Sequence, residues 1–286
     1  MDAYEVTGYD GGGSANGIRM RRMNIRAALS RSVFLAAAIA LVLSQRAVAE
    51  AETVRVMISG GFSAALRDLA PAYQRQTGNA LEIVSGPSMG TTPQAIPNRL
   101  ARGEQADVVI MVGYALDDLI KAGTVAADSR VDLARSQIAM AVRSGAPKPD
   151  ISTVDRFKQA LLNARSIAYS DSASGVYIQN EMFAKLGIAD AVRAKSKMIP
   201  ATPVGEVVAR GDAEVGFQQL SELRPVLGID IVGLIPPEMQ KVTVFAGGVV
   251  AKAQHGASAR TLLTFLASPA AAPSIANSGL EPISHP

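Results

Sequence analysis

The sequence has 286 residues, 48% of them hydrophobic, and a formal net charge of +3. It contains no cysteine, which excludes disulfides, thiolate catalysis and cysteine-ligated metals, and its two histidines leave almost no material for a zinc site or a Ser-His-Asp triad. The length and the apolar content suit a packed core shared by two lobes.

Residues 1–49 are predicted to be a leader that is removed. Basic residues at 21, 22 and 26 precede an apolar run at 33–43 that is too short to span a membrane, and Ala47-Val48-Ala49 matches a cleavage site. We therefore predict export to the periplasm, with cleavage near Ala49 and Glu50. Since the leader carries more basic than acidic residues, the mature chain is close to neutral and gives no electrostatic footprint for nucleic acid.

After the leader, short β-rich runs alternate with amphipathic helical runs, the pattern typical of α/β layers with a mostly parallel sheet. In the first half the predicted strands are 54–58, 81–84 and 107–111, and the predicted helices are 62–76, 95–102 and 116–122. Apolar residues on the first helix recur at spacings of three and four, which predicts one buried face. Pro71 lies inside that helix and is expected to kink it.

The second half repeats this alternation. Its predicted strands are 138–142, 166–169 and 214–217, and its predicted helices are 153–162, 176–186 and 204–210. A last strand and helix, at 242–252 and 257–266, are expected to return to the first lobe. With crossover points at Ser136 and Thr243, lobe 1 would comprise residues 50–135 plus 244–286, and lobe 2 residues 136–243. Two α/β lobes joined in this way form a ligand cleft between them.

Three loops rich in glycine and serine follow predicted strands, at 59–63, 85–92 and 170–175. Such loops suit an anion, because glycine lets the backbone approach closely and the N-terminus of a helix offers unpaired N–H groups. A plain strand–helix turn remains the alternative for the first loop, and an N-terminal capping acid for Asp171 in the third. The candidate ligand-binding residues of the three loops are Gly60, Gly61, Phe62, Ser63, Ser85, Ser88, Met89, Gly90, Thr91, Ser172, Ser174 and Gly175.

Further ligand-binding candidates lie in the second half of the chain: Thr202, Gln218, Gln219 and Arg224. The two glutamines end an apolar strand, where amides commonly line a cleft, although a surface turn would tolerate them too. Arg224 is a candidate clamp for a carboxylate, as is the pair Arg99 and Arg102. No metal site is predicted, because the adjacent acids Asp117 and Asp118 point in different directions on a helix.

Several segments, in the right order, resemble the molybdate-binding branch of the type II periplasmic solute-binding proteins. They are 54–70 (VRVMISGGFSAALRDLA), 103–110 (GEQADVVI), 170–186 with Gly175-Val176-Tyr177, and 208–217 (VARGDAEVGF). The resemblance implies an oxyanion held by neutral donors between two lobes. By position, the first-loop serine of the family falls at Gly61 and its tyrosine at Gln219, so two side-chain donors have changed, which weakens molybdate as the ligand.

The long loop at 86–93 is instead similar to a sister group that includes a periplasmic aconitate isomerase. That resemblance implies proton transfer on a tricarboxylate, for which the candidate catalytic residues are Asp171, Tyr114 and Glu206. The first hypothesis is a binding protein that delivers a molybdate- or tungstate-like oxyanion or a polycarboxylate to the permease of an ABC importer. The alternative is an isomerase of cis- and trans-aconitate in the same cleft. We expect a monomer, without a cofactor and without nucleic acid as a partner.

Overall fold

The computed structural model describes residues 51–284, which form eleven strands and, between them, short and medium helices. In chain order the strands are β1 (Thr53–Ile58), β2 (Ala80–Ser85), β3 (Val108–Val112), β4 (Val131–Ser136), β5 (Ile138–Arg143), β6 (Ile167–Ser170), β7 (Ser196–Ile199), β8 (Val215–Gln219), β9 (Ile229–Leu234), β10 (Thr243–Val249) and β11 (Glu281–Pro282). The predicted leader and its cleavage site lie outside the described residues.

The α-helices in the described range are α1 (Gly60–Thr77), α2 (Ile96–Ala101), α3 (Gly113–Lys121), α4 (Val154–Asn163), α5 (Ala173–Tyr177), α6 (Phe183–Lys185), α7 (Ala189–Arg193), α8 (Val204–Arg210), α9 (Leu220–Leu223), α10 (Gly256–Leu266) and α11 (Ala272–Asn277). A π-helical turn, Ile178–Met182, joins α5 to α6. Within the described residues, no helix combines the length and the apolar character that crossing a membrane requires.

The strands form two sheets. The first has the order β11-β4-β10-β3-β1-β2 and the second the order β7-β6-β8-β5-β9. Parallel pairs join β1 to β2 and β3, and β6 to β7 and β8, whereas β10 and β5 run antiparallel to both of their neighbours. The sheets are therefore mixed rather than mostly parallel, because each sheet takes in a strand that has just crossed from the other one.

The chain crosses between the sheets twice. β4 ends at Ser136 and β5 begins at Ile138, and the return runs from the end of β9 to Thr243 at the start of β10. Gln240 in the returning segment holds the two crossings side by side, since its side chain accepts from the Ile138 N–H at 3.0 Å and donates to the Ile138 carbonyl at 2.7 Å. The division into lobe 1 and lobe 2, with bounds at these crossings, stays a prediction.

Each sheet has its own apolar core. On α1, the residues predicted to form the apolar face, Phe62, Leu66, Leu69 and Tyr73, are all buried under the first sheet. In the second core the rings of Phe157 and Phe217 meet edge to face, with their centroids 6.0 Å apart, an arrangement that contributes about 0.5–1.5 kcal/mol beyond area burial. Both cores thus fix the ends of their strands, where the site lies.

Two predicted helices begin or run differently from expectation. α1 starts at Gly60, so Ser63 lies inside the helix and Ser59 occupies the N-cap position, without a capping hydrogen bond from its side chain. The helix passes through Pro71 and ends at Gly78, which is in the left-handed conformation with φ 80°. The predicted helix at 176–186 begins three residues earlier and contains the π turn. Strands β4, β7, β9 and β11 and helices α7, α9 and α11 were not predicted.

Candidate functional site

A cavity of about 270 Å³ lies where strands of both sheets end. Ser59 follows β1, Ser85 ends β2, Ser170 ends β6, and Gln218 and Gln219 end β8, and all of them line the cavity. Ligands of open α/β sheets bind at the carboxyl ends of strands, because the loops that follow neighbouring strands converge there. The cavity is thus the candidate site of this chain.

The first loop contributes a buried hydroxyl and the beginning of a long helix. Ser59 is only 3% exposed, and its Oγ has no hydrogen-bond partner within the described residues. Gly60 and Gly61, which also line the cavity, supply two of the first N–H groups of α1, and these groups lack partners within the helix. This corner offers neutral donors to an anion, whereas Phe62 is buried in the core and Ser63 accepts from Arg67 at 3.3 Å.

The second loop lines the cavity with its beginning only, Ser85, Gly86 and Pro87. Two guanidinium groups contact Ser85 there: Arg67 Nη2 donates to its Oγ at 3.3 Å and Arg99 Nη1 to its carbonyl at 3.1 Å. The rest of the predicted loop lies elsewhere. Ser88 is fully buried and accepts from the Val112 N–H at 3.0 Å, and Met89, Gly90 and Thr91 are outside the cavity wall.

The third loop brings Ser170, Asp171, Ser172 and Ala173 to the wall. The Ser174 hydroxyl lies 3.1 Å from that of Ser170 and points into the protein. Gly175 is also outside the wall: a β-carbon at this position would overlap the Ser170 carbonyl oxygen, so only glycine allows the loop to pack this closely. The glycine therefore shapes the loop rather than lining the cavity.

Asp171 is held by a strained segment. One of its carboxylate oxygens accepts from the Ala201 N–H at 3.2 Å, and Ala201 has a φ of 53°, in the left-handed region that L-residues other than Asn and Asp seldom adopt. Ala201, Thr202 and Pro203 all line the cavity. Strained backbone of this kind tends to cluster at ligand sites, where the surrounding structure over-determines it.

The end of β8 places two amides in the wall. Gln218 Oε1 accepts from the Val204 N–H at 2.9 Å, and Gln219 Nε2 donates to Thr243 Oγ1 at 3.0 Å. Gln219 is 2% exposed, and its Oε1 accepts no hydrogen bond from the part of the chain that the structure describes. Because the Thr243 hydroxyl can donate as well as accept, the Gln219 amide can also turn over and present Nε2 to a ligand.

Glu222, on α9, completes the wall and was not predicted. Its carboxylate lies against Gly60, where a β-carbon would overlap Glu222 Oε1. Burial raises the pKa of Glu222 to about 7, against the hydrogen bonds from the Gln218 side chain and the Gln219 backbone, which favour the charged form, while the charge of Asp171 adds to the rise. Near neutral pH this carboxyl group is thus divided between its protonated and charged forms.

Among the described residues that line the cavity, two are acidic, Asp171 and Glu222, and none is basic. Arg224 is exposed and donates to the Asn277 carbonyl at 2.7 Å. Tyr114 is 53% exposed, and Glu206 is exposed beside Arg210. No group of potential metal ligands occurs in the part of the chain that the structure describes. The wall therefore offers neutral donors and a carboxyl group that can carry a proton.

The structure brings about half of the predicted residues together. The predicted residues in the wall are Gly60, Gly61, Ser85, Ser172, Thr202, Gln218, Gln219 and Asp171. Those outside it are Phe62, Ser63, Ser88, Met89, Gly90, Thr91, Ser174, Gly175, Arg224, Tyr114 and Glu206. The binding roles of the first group stay predictions. Sequence reasoning missed Ser59 and Glu222, although each directly follows or lies shortly after a predicted strand, the position where site residues of such sheets occur.

Comparison with known families decides the class of the protein. The family model described as bacterial extracellular solute-binding protein matches residues 54–281, nearly the whole described chain. The chain belongs to this solute-binding protein family. The match covers both sheets, so the cavity lies within the family's own fold.

Individual relatives agree with this assignment. This solute-binding protein is 60% identical over 231 residues to an aconitate isomerase of a Pseudomonas species, covering 81% of this chain and 88% of the relative. It is 26% identical over 179 residues to a molybdate-binding protein of Azotobacter vinelandii, covering 61% of this chain and 68% of that protein. A solved periplasmic molybdate-binding protein of Azotobacter vinelandii shares the fold, with a TM-score of 0.65, 21% identity, and coverage of 79% of this chain and 98% of that one. The predicted resemblance and the two-lobed type II periplasmic binding protein fold are confirmed.

Proposed function

We propose that this solute-binding protein holds a small carboxylate, with aconitate as the first candidate, in the cavity between its two sheets. The observation that carries the proposal is the pair of buried polar side chains in the wall, Ser59 and Gln219, each with an oxygen that lacks a partner among residues 51–284. A buried polar atom left unsatisfied costs roughly 1–3 kcal/mol, and a bound anion that accepts from the hydroxyl and the turned amide relieves this cost.

Two features favour a carboxylate over a tetrahedral oxyanion. The cavity, at about 270 Å³, is close to the lower end of the roughly 300–1,000 Å³ typical of sites for small organic ligands. Glu222 can be protonated near neutral pH and then donates to a carboxylate instead of repelling it. A molybdate-like oxyanion, which neutral donors alone can hold, is the alternative ligand.

The second candidate function is catalysis in the same cavity. The 60% identity to the aconitate isomerase of a Pseudomonas species favours it, since this similarity extends over 88% of that enzyme. Interconverting cis- and trans-aconitate requires a group that removes and returns a proton, and the wall contains two carboxyl groups for this purpose. We propose the isomerase activity alongside ligand binding, because both need the same closed and anion-compatible site.

We also propose that the N-terminal leader directs export to the periplasm, and that the protein is a monomer of two lobes with the bounds given above. No cofactor or nucleic-acid partner is expected. If the protein only binds its ligand, the permease of an ABC importer is the expected partner. If it is an isomerase, this transfer is not required.

Calorimetry on the purified mature protein tests the ligand. We expect saturable binding of cis- or trans-aconitate and weak or no binding of molybdate, tungstate and sulfate. Submicromolar binding of molybdate without binding of aconitate would overturn the carboxylate proposal. Proton NMR on the aconitate samples separates the two functions, because interconversion of the isomers identifies an enzyme and an unchanged spectrum a binding protein.

A further inference from the structure

We infer that Glu222 is the catalytic residue that removes and returns the proton when aconitate is isomerised, an assignment that rests on the isomerase function proposed above. A proton carrier must reach the ligand, so the candidates for this role are the ionisable groups of the cavity wall. Within the described residues, the wall has two carboxyl groups, Asp171 and Glu222, and no histidine, lysine or tyrosine.

The surroundings of the two carboxyl groups differ. One carboxylate oxygen of Asp171 accepts a hydrogen bond from the Ala201 N–H and so helps to hold the strained segment. Among the described residues Glu222 has no basic partner, and the groups that favour its charged form, Gln218 and Gln219, carry no charge. The carboxyl group is therefore not neutralised by an opposite charge and stays available as a general base.

The position of Glu222 also joins the two halves of the site. α9, which carries it, follows β8 of the second sheet, yet the carboxylate contacts Gly60 at the start of α1, under the first sheet. A ligand held by Ser59 and the first amides of α1 thus lies on the same side of the cavity as this carboxylate. Any side chain at position 60 larger than hydrogen would take up the space that the carboxylate occupies.

The chemistry needs only one such group. A base takes a proton from the methylene carbon of aconitate, and the electron pair of that C–H bond moves into the adjacent double-bond system, which a carboxylate of the ligand stabilises. The proton then returns to the carbon that carried the vinylic hydrogen. One C–H bond breaks and one forms. The double bond moves by one carbon and takes the cis or the trans geometry in its new place, so no further reactant is consumed.

The proton affinity of the residue suits this role. Burial raises the pKa of Glu222 to about 7, so the carboxylate is a stronger base than an exposed glutamate and still releases its proton readily at neutral pH. Catalysis by a general base is most effective when its pKa lies near the working pH. The charged group that contributes to this rise is Asp171, and the residues that oppose it are Gln218 and Gln219.

The test compares Glu222→Gln with Glu238→Gln, the same substitution at an exposed residue outside the cavity. We expect E222Q to bind aconitate but to lose about 10²–10⁴-fold in kcat, and to lose the exchange of the ligand's methylene protons with D₂O, while E238Q keeps both. The wild type should show a fall in kcat below about pH 7, and this fall should be absent in E222Q. Asp171→Asn tests the competing assignment: if Asp171 were the proton carrier, this variant rather than E222Q would lose the exchange of the methylene protons with D₂O.

Each other outcome has a distinct meaning. If the wild-type protein binds aconitate but shows neither interconversion nor exchange, the isomerase function is wrong and the assignment falls with it. If the wild type turns over and folded E222Q keeps its kcat within about threefold, Glu222 is not the proton carrier although the enzyme function stands. If E222Q fails to fold, Gly60→Ala tests the same assignment, because it displaces the carboxylate but keeps its chemistry.

Discussion

The carboxylate of Glu222 lies against the α-carbon of Gly60, although the two residues belong to elements that follow strands of different sheets. This contact explains why the residue at position 60 has no side chain. Because the partly buried acid is divided between its protonated and charged forms near neutral pH, the wall changes its charge with pH.

Replacing Gly60 with alanine should reduce turnover by at least about tenfold while leaving the fold intact, because the new methyl group displaces a flexible side-chain end rather than backbone. Gly256→Ala is the matched control, since Gly256 also begins a helix and has open space around its α-carbon. Activity and melting temperature are measured for both. Equal activity of the two variants would show that the carboxylate does not need its present position.

Stability should depend on the protonation of Glu222. Because the folded protein binds this proton more tightly than the unfolded chain, the stabilisation is complete below the ordinary pKa of 4.5 and is lost as pH rises through about 7. At about 1.4 kcal/mol per pKa unit, the loss amounts to at most about 3 kcal/mol. Urea unfolding at pH 5 and pH 8 should show this loss in the wild type and not in Glu222→Gln. An equal change in the free energy of unfolding with pH in both proteins would contradict the prediction.

Ser59→Ala and Ser88→Ala should separate ligand binding from folding. The Ser59 hydroxyl is buried without a partner among the described residues, so its removal should raise the stability of the ligand-free protein by up to about 1–3 kcal/mol and weaken the ligand by about 1.5–3 kcal/mol, or roughly 10–150-fold in Kd. The Ser88 hydroxyl instead satisfies the Val112 N–H, so its removal should cost about 1–3 kcal/mol of stability and leave the Kd of the refolded protein unchanged. Calorimetry and urea unfolding on both variants measure the two effects, and a loss of stability in S59A would count against the binding role.

Asp171→Asn should move the pH profile. Asparagine keeps an oxygen for the Ala201 N–H but removes the negative charge that helps to raise the pKa of Glu222. The acidic limb of kcat, and the pH midpoint of aconitate binding, should therefore shift to lower pH. NMR titration of the carboxyl group in the wild type and the variant measures the same shift directly, and an unchanged midpoint would show that the two carboxyl groups are not coupled.

The sequence predicted most of the scaffold, because its elements carry local signals. The apolar spacing of Phe62, Leu66, Leu69 and Tyr73 identified α1, and the continuous apolar run of β3 identified a buried strand. β7 and β9 were missed, since Ser196–Ile199 is a short segment with two polar residues and Ile229–Leu234 is interrupted by Asp230 and Gly233 and only partly buried. The antiparallel pairing of β5 and β10 depends on the crossings, which no local pattern encodes.

The site was harder to predict than the scaffold. Glycine and serine are frequent both in ligand loops and in tight turns. The residue type therefore did not distinguish Ser85, which lines the cavity, from Ser88, which accepts a hydrogen bond from the last residue of β3 inside the protein. Glu222 lies on a helix of four residues that has no periodicity, and its partner Gly60 is far away in the chain. The available signal was an acid three residues after the paired amides that end β8.

Gln240 has a mechanical consequence. Its side chain bonds to both backbone groups of Ile138 and reaches the Ile235 carbonyl at 3.3 Å, so the outgoing and returning segments are stapled together next to the second sheet. Bending of the two connections is thereby confined to the short stretch between this staple and the first sheet, around Ser136 and Thr243. We therefore expect any relative movement of the two sheets to bend this stretch, because hinges are usually a few residues long.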